Sequence, residues 1–204
     1  MTVPDIRKFS RVDDIRSYCT RPVMLKDGRI VATDGWSVLC VDAFDGEVAP
    51  LNNDLIDNAI VEGLAMHDDP ARTWYPLSEV ERPELTACKD CHGTGRVRYT
   101  DCEDCDGDGF FQHGNHDYTC KECEGEGRHR SADGKDNECD SCNGLGLGPR
   151  YTRMRLKGMP AKTLDVDAVL MSRFPDDCEY SPGDKVLLRG EGWKAILMPM
   201  RNES

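Results

Sequence analysis

The sequence predicts an α+β protein in which residues 87–148 form a metal-binding segment set inside a second domain, made of residues 1–86 and 149–204. Two observations carry this reading. The phrase C-x-x-C-x-G-x-G occurs four times within the segment, and the residues on either side of it alternate strand-like and helix-like patterns. A third observation concerns the setting. No apolar run approaches the ~18 residues of a membrane span, and the opening MTVPDIRKFSRVDDIR has no apolar core of the secretory type, so a cytoplasmic protein is expected.

Taken in order, residues 23–25 and 29–32 are β-branched apolar stretches around Lys26-Asp27-Gly28, a hairpin-turn signal. Thr33-Asp34-Gly35 is a second turn, followed by a strand over 36–41. Residues 52–66 predict an amphipathic helix: Asn53 or Asp54 can cap it, and Leu55, Ile56, Ile60, Val61 and Leu64 share one face. Pro70, Pro76 and Pro83 mark an irregular path to the cysteines. Beyond them, 151–157 alternates as a strand, with Tyr151, Arg153, Arg155 and Lys157 on one face and Met154 and Leu156 on the other. Gly158-Met159-Pro160 breaks it. A short helix over 165–173 ends at Phe174-Pro175, and 185–189 with 193–198 reads as a terminal β-hairpin.

The cysteine pairs begin at Cys88 and Cys91, Cys102 and Cys105, Cys120 and Cys123, and Cys139 and Cys142. In C-x-x-C the intervening residues let the chain turn so that both sulfurs face one point, and two pairs complete the S₄ tetrahedron that suits Zn²⁺. The glycines that follow permit positive φ and a close backbone approach, so that N–H groups can point at thiolate charge. Eight ligands predict two Zn²⁺ per chain. A thioredoxin-type dithiol would need a βαβ context, and iron–sulfur clusters use other spacings. With eight thiolates available, His92, His113, His116 and His129 are expected in solvated loops. Cys19, Cys40 and Cys178 lack motif partners and are expected to be buried.

This fourfold repeat resembles the cysteine-rich domain of DnaJ-type chaperones. The resemblance implies nested pairing: Cys88, Cys91, Cys139 and Cys142 hold one ion, and Cys102, Cys105, Cys120 and Cys123 hold the other. It stops at the edges of the segment. The His-Pro-Asp tripeptide of a J-domain is absent, the nearest string being His67-Asp68-Asp69-Pro70, and no Gly/Phe-rich linker precedes the cysteines.

A second resemblance lies in the flanks. GRIVATDGWSVL is similar to the bacterial sliding-clamp segment G-x-L-x-A-T-D-G-H-R-L, and GEGWKAILMPMR resembles the C-terminal strand of the same DNA polymerase clamp, which ends Met-Pro-Met-Arg. It implies a single sliding-clamp-like domain with the two-zinc arm inserted. It also implies a hydrophobic pocket for short peptides near Thr33, Gly35, Trp36, Val38, Leu39, Met198, Pro199, Met200 and Arg201. Trp36 and the strand 193–200 are then expected to build one apolar surface patch. Trp36 and Ser37 stand where that family has His-Arg, and one such domain could encircle DNA only as a homo-oligomer of about six.

Charge bears on the partner. Residues 1–87 carry 9 Lys/Arg against 16 Asp/Glu, residues 88–148 carry 7 against 14, and residues 149–204 carry 10 against 8. Phosphate binding rests on Lys and Arg, so the cysteine-rich segment is an unfavourable surface for nucleic acid. The helix over 52–66 holds Asp54, Asp57 and Glu62 and no Lys or Arg. A protein partner of the replication or chaperone class is therefore expected ahead of DNA. Three functions follow: a replication accessory acting through contacts, a chaperone-like zinc module, and a clamp mimic that blocks a replication protein. No enzyme is expected, because four thiolates leave a zinc ion no open position and no H-E-x-x-H or Gly-rich phosphate loop with Lys is present.

Overall fold

A computed structural model describes residues 2–11, 14–114, 116–142, 144–149, 151–159 and 164–201. It is a mixed α+β structure, mostly sheet with one helix of substance. The chain divides into two compact units, Met1–Ala87 with Leu147–Ser204, here called the body, and Cys88–Gly146.

The body is built on an eight-stranded sheet. In spatial order its strands are Ala49–Pro50, Val23–Met24, Ile30–Thr33, Ser37–Val41, Trp193–Leu197, Val186–Gly190, Glu179–Ser181 and Tyr75–Pro76. The two sequence-predicted hairpins lie at its centre. Lys26-Asp27-Gly28 turns the first, with Gly28 at φ 88° and its N–H on the Leu25 carbonyl at 3.0 Å. The hairpins join where Ser37–Val41 pairs antiparallel with Trp193–Leu197, in the register Ser37 to Leu197 and Val41 to Trp193.

Strand alternation gives this sheet two apolar faces. Val31, Cys40, Leu187 and Ile196 point to one side and pack with Ile60 and Leu64 of α1 (Asp54–Ala65). Ala32, Leu39, Leu188 and Ala195 point to the other and pack with Phe9, Leu156, Val166, Met171 and Phe174. Asn53 caps α1, its side chain accepting from the Ile56 N–H at 3.2 Å. The expected helix face needs one correction. Leu55 is 82% exposed, and the fourth inward position goes to Asp57, which accepts the Lys26 N–H at 2.9 Å. Gly63 lets the helix approach the sheet, because a Cβ there would lie 2.6 Å from Ile196.

Both outer strands of the sheet are two residues long and end in proline, Pro50 and Pro76. Leu51 and Leu77 donate inward to Met24 and Cys178, so each proline sits at an outward-facing position that offers no donor.

The second expected helix is also corrected. Residues Leu164–Asp167 are a strand, paired with Arg153–Met154 and Met200–Arg201, and only Ala168–Met171 is helical. Asp167 ends the strand by accepting the Val169 N–H at 2.9 Å, which starts the short helix. Pro160, named above in a chain break, lies outside the described residues.

Candidate metal centre

Within Cys88–Gly146, Arg96–Asp101 is the central strand of a three-stranded sheet, flanked by Arg128–Arg130 and Lys135–Glu138. Phe110–His113 and His116–Thr119 form a separate hairpin. The four knuckles lie at the ends of these strands, and each repeats the same local path. In three of them the residue after the second cysteine has positive φ: His92 at 52°, Asp106 at 51° and Glu124 at 52°. The second glycine of every knuckle then donates its N–H to the second sulfur: Gly95 to Cys91 and Gly127 to Cys123 at 3.2 Å, Gly109 to Cys105 at 3.1 Å, and Gly146 to Cys142 at 3.2 Å. These donors stabilise thiolate charge.

The eight sulfurs gather as two tetrads, Cys88, Cys91, Cys139 and Cys142, and Cys102, Cys105, Cys120 and Cys123, with all sulfurs of a tetrad within 4.8 Å of one another. In each tetrad the cross-knuckle sulfur separations are 3.9 and 3.7 Å. A tetrahedral ion with metal–sulfur bonds of ~2.3 Å would place its ligands ~3.8 Å apart. The donor set therefore fits one tetrahedral ion per tetrad.

The backbone joins the same knuckles that the sulfurs do. The Cys88 N–H donates to Gly146 at 2.8 Å and the Cys139 N–H to Gly95 at 2.9 Å; Cys102 and Cys120 do the same with Gly127 and Gly109 at 2.8 and 2.9 Å. Glycine is required at these crossings. A Cβ on Gly95 or Gly146 would run into the carbonyl of Gly144 or Gly93, and one on Gly109 or Gly127 into that of Gly125 or Gly107. Each tetrad is thus a pair of knuckles facing each other with their glycines in mutual contact. The cross-knuckle glycine contact could not be read from spacing, although the doubled G-x-G in every copy is its signature.

Without a cation, four crowded thiols cannot all ionise. Burial pushes Cys142 and Cys102 up to about 12. For Cys91 and Cys123 burial also acts upward, but the N–H groups of Gly95 and Gly127 and the neighbouring sulfurs outweigh it and bring both down to about 7. A bound cation favours the thiolate form of all four sulfurs, so metal binding to such a tetrad releases protons. Cys19, Cys40 and Cys178 are buried in the body, where burial raises each thiol, and they join neither tetrad.

The residues expected to receive a peptide are split between surface and interior. Trp36 and Met198 are 52% and 42% exposed, and the Met198 N–H donates to the Trp36 carbonyl at 2.8 Å. Gly35 is exposed beside them at φ 88°, with the Arg16 guanidinium against its α-carbon. Val38, Pro199 and Met200 are half-buried, while Thr33 and Leu39 are buried. Arg201 is in a strand, its side chain outside the described residues. The patch expected along 193–200 is corrected. Trp193 is 2% exposed, stacked on Phe174 with ring centres 5.8 Å apart, and Ala195, Ile196 and Leu197 are buried.

Asp34 holds Trp36 outward. Its Oδ1 accepts the N–H groups of Trp36 and Ser37 at 2.9 and 2.7 Å, and its Oδ2 takes a buried ion pair from Arg173 at 2.5 Å. That pair spans chain segments far apart in sequence and had no local signal. Comparison with known proteins adds no relative: no family model, no curated protein and no solved structure matches the chain.

Proposed function

We propose that this is a non-enzymatic, two-zinc protein that acts by contact, as an accessory of the DNA replication machinery. The carrying observation is the pair of closed S₄ tetrads. Thiolate softness and tetrahedral spacing select zinc, and four protein ligands leave it no site for water or substrate, so the metal is structural. The contact surface of the body is the Trp36–Met198 pair. A rigid, half-exposed indole beside a flexible thioether is a suitable anchor for a short apolar peptide.

The clamp-like reading of the body draws support from placement. The two stretches that carry that resemblance are separated by most of the chain, yet they are adjacent strands at the centre of one sheet. Proline at both sheet edges favours a domain that contacts a partner over one that extends its sheet into a ring. A protein blocking a replication factor by clamp mimicry would use the same surface. The chaperone-like reading rests on another observation: Phe110, Phe111 and Tyr118 are all exposed on the hairpin of the cysteine-rich unit. A cytoplasmic setting belongs to all three readings.

Titrating the protein with a short peptide motif from a replicative polymerase, followed by isothermal titration calorimetry, tests the proposal. Binding lost in Trp36→Ala and Met198→Ala but kept in Phe111→Ala with Tyr118→Ala supports the replication reading. The reverse pattern, tested with an unfolded polypeptide, moves the contact function to the cysteine-rich unit.

A further inference from the structure

The hairpin of Phe110–His113 and His116–Thr119 supplies no sulfur to either tetrad and has no core of its own. Every residue of both strands is exposed, and among the described residues the strands pair only with each other. A two-stranded hairpin without a covered face is marginally stable at best in water. Its base is held, because the Cys120 N–H donates to the Gly109 carbonyl at 2.9 Å beside the second tetrad. The tip lies three residues further along each strand, about 10 Å away.

That tip carries two histidines. His113 and His116 stand directly opposite each other in the register, two residues beyond the Phe111 and Tyr118 pair and on the same face. Both are exposed, and neither imidazole has a hydrogen bond or ion pair among the described residues. Directly opposed residues have Cβ atoms about 5 Å apart. Imidazoles so placed can each turn one nitrogen onto a common ion, since metal–nitrogen bonds of ~2.05 Å set tetrahedral ligands about 3.3 Å apart. The surroundings favour a cation. Residues 110–119 include Asp117 and no Lys or Arg, and the segment 88–148 carries 7 Lys/Arg against 14 Asp/Glu.

We propose that His113 and His116 form a third metal site, which takes a divalent ion of the zinc, copper or nickel class and clips the two strands together at the tip. Imidazole suits those ions, whereas calcium and magnesium take oxygen ligands. Two protein ligands leave the remaining positions to water, so this ion exchanges readily, unlike an ion closed in by four sulfurs. Dialysis removes it, and the purified protein keeps only its two tetrad ions. When bound, the ion supplies the cross-strand link that the hairpin lacks in a core, and it fixes the register of the exposed Phe111 and Tyr118 pair. The inference is independent of the peptide surface at Trp36, which involves none of these side chains.

Calorimetric titration of Zn²⁺ into the dialysed, zinc-loaded full chain tests it; with zinc as titrant, exchange at the tetrads is silent. The wild type is expected to bind one further ion per chain. His113→Asn and His116→Asn are each expected to lose that event, because a chelate needs both nitrogens, while His129→Asn keeps it. A retained content of two zinc ions confirms that each variant has its tetrads intact. Hydrogen exchange of amides 110–119 is expected to slow on adding Zn²⁺ to the wild type and to stay unchanged in the two variants. No third ion in the wild type overturns the proposal. So does a third ion kept by both variants, which marks adventitious binding to the acidic surface, or binding without added protection of the hairpin.

Discussion

The interior of the body is hydrocarbon, whereas that of the cysteine-rich unit is mostly sulfur. On one face of the body sheet alone, Leu39, Leu77, Leu156, Leu188, Leu197 and Phe9 are buried together with fourteen further residues. In the cysteine-rich unit one buried cluster is four cysteines with Val97, and the other is Cys102, Cys105, Cys120 and Cys123 alone. A cluster of thiols supplies little hydrophobic driving force, so the second unit depends on metal–sulfur bonds for what the first obtains from burial. The two units should therefore fail under different conditions.

Metal removal gives the largest effect. Structural zinc contributes on the order of 10 kcal/mol to small modules of this kind, so a chelator should unfold Cys88–Gly146 completely and leave the body folded. Hydrogen exchange should show rapid exchange throughout 88–146 and protected amides in Ser37–Val41 and Trp193–Leu197. Acidification should act in the same direction, because protons compete for the sulfurs, and metal release should precede melting of the body.

The converse perturbation is a cavity in the body. Leu188→Ala should cost about 2–5 kcal/mol. Calorimetry should show the body transition lowered, with the metal content unchanged.

Glycine substitutions give a finer comparison. Gly146→Ala combines positive φ with a Cβ driven into the Gly93 carbonyl, and should cost well over 2 kcal/mol and weaken the first tetrad. Gly28→Ala in the body has positive φ but open space around it, and should cost only about 1 kcal/mol. Equal effects on thermal melting would deny that the knuckles are interlocked. The smallest effect is expected at the surface, where Trp36→Ala should change stability by less than about 1 kcal/mol while removing peptide binding.

Local signals in the sequence account for much of this. The pairing of the cysteines, which spacing alone left open and the DnaJ resemblance implied, is the one found in the two tetrads. The central hairpins were legible because Asp-Gly turns and alternating apolar residues are local signals. Where two neighbouring elements compete, local signals fail. Val166, Val169 and Leu170 stand at helix-compatible spacing, yet Leu164–Asp167 is held as a strand by partners on both sides, Arg153–Met154 and Met200–Arg201. Leu55 was assigned inward by hydrophobicity, but Asp57 takes the inward place because the Lys26 N–H of the first hairpin turn needs an acceptor. Trp193 looked like part of a binding surface because it adjoins Met198 in sequence. The two alternate faces of the strand, and the rings of Phe9 and Phe174, fix it as core.

The central claim is that each tetrad holds its own zinc ion and that the two are separately dispensable. Elemental analysis of the purified protein beside Cys105→Ser/Cys120→Ser addresses it directly, since those substitutions remove two ligands from one tetrad and leave the other whole. The account predicts two zinc ions per chain in the wild type and one in the variant, with the body melting unchanged. One zinc in the wild type, iron in place of zinc, or loss of both ions from the variant would contradict it.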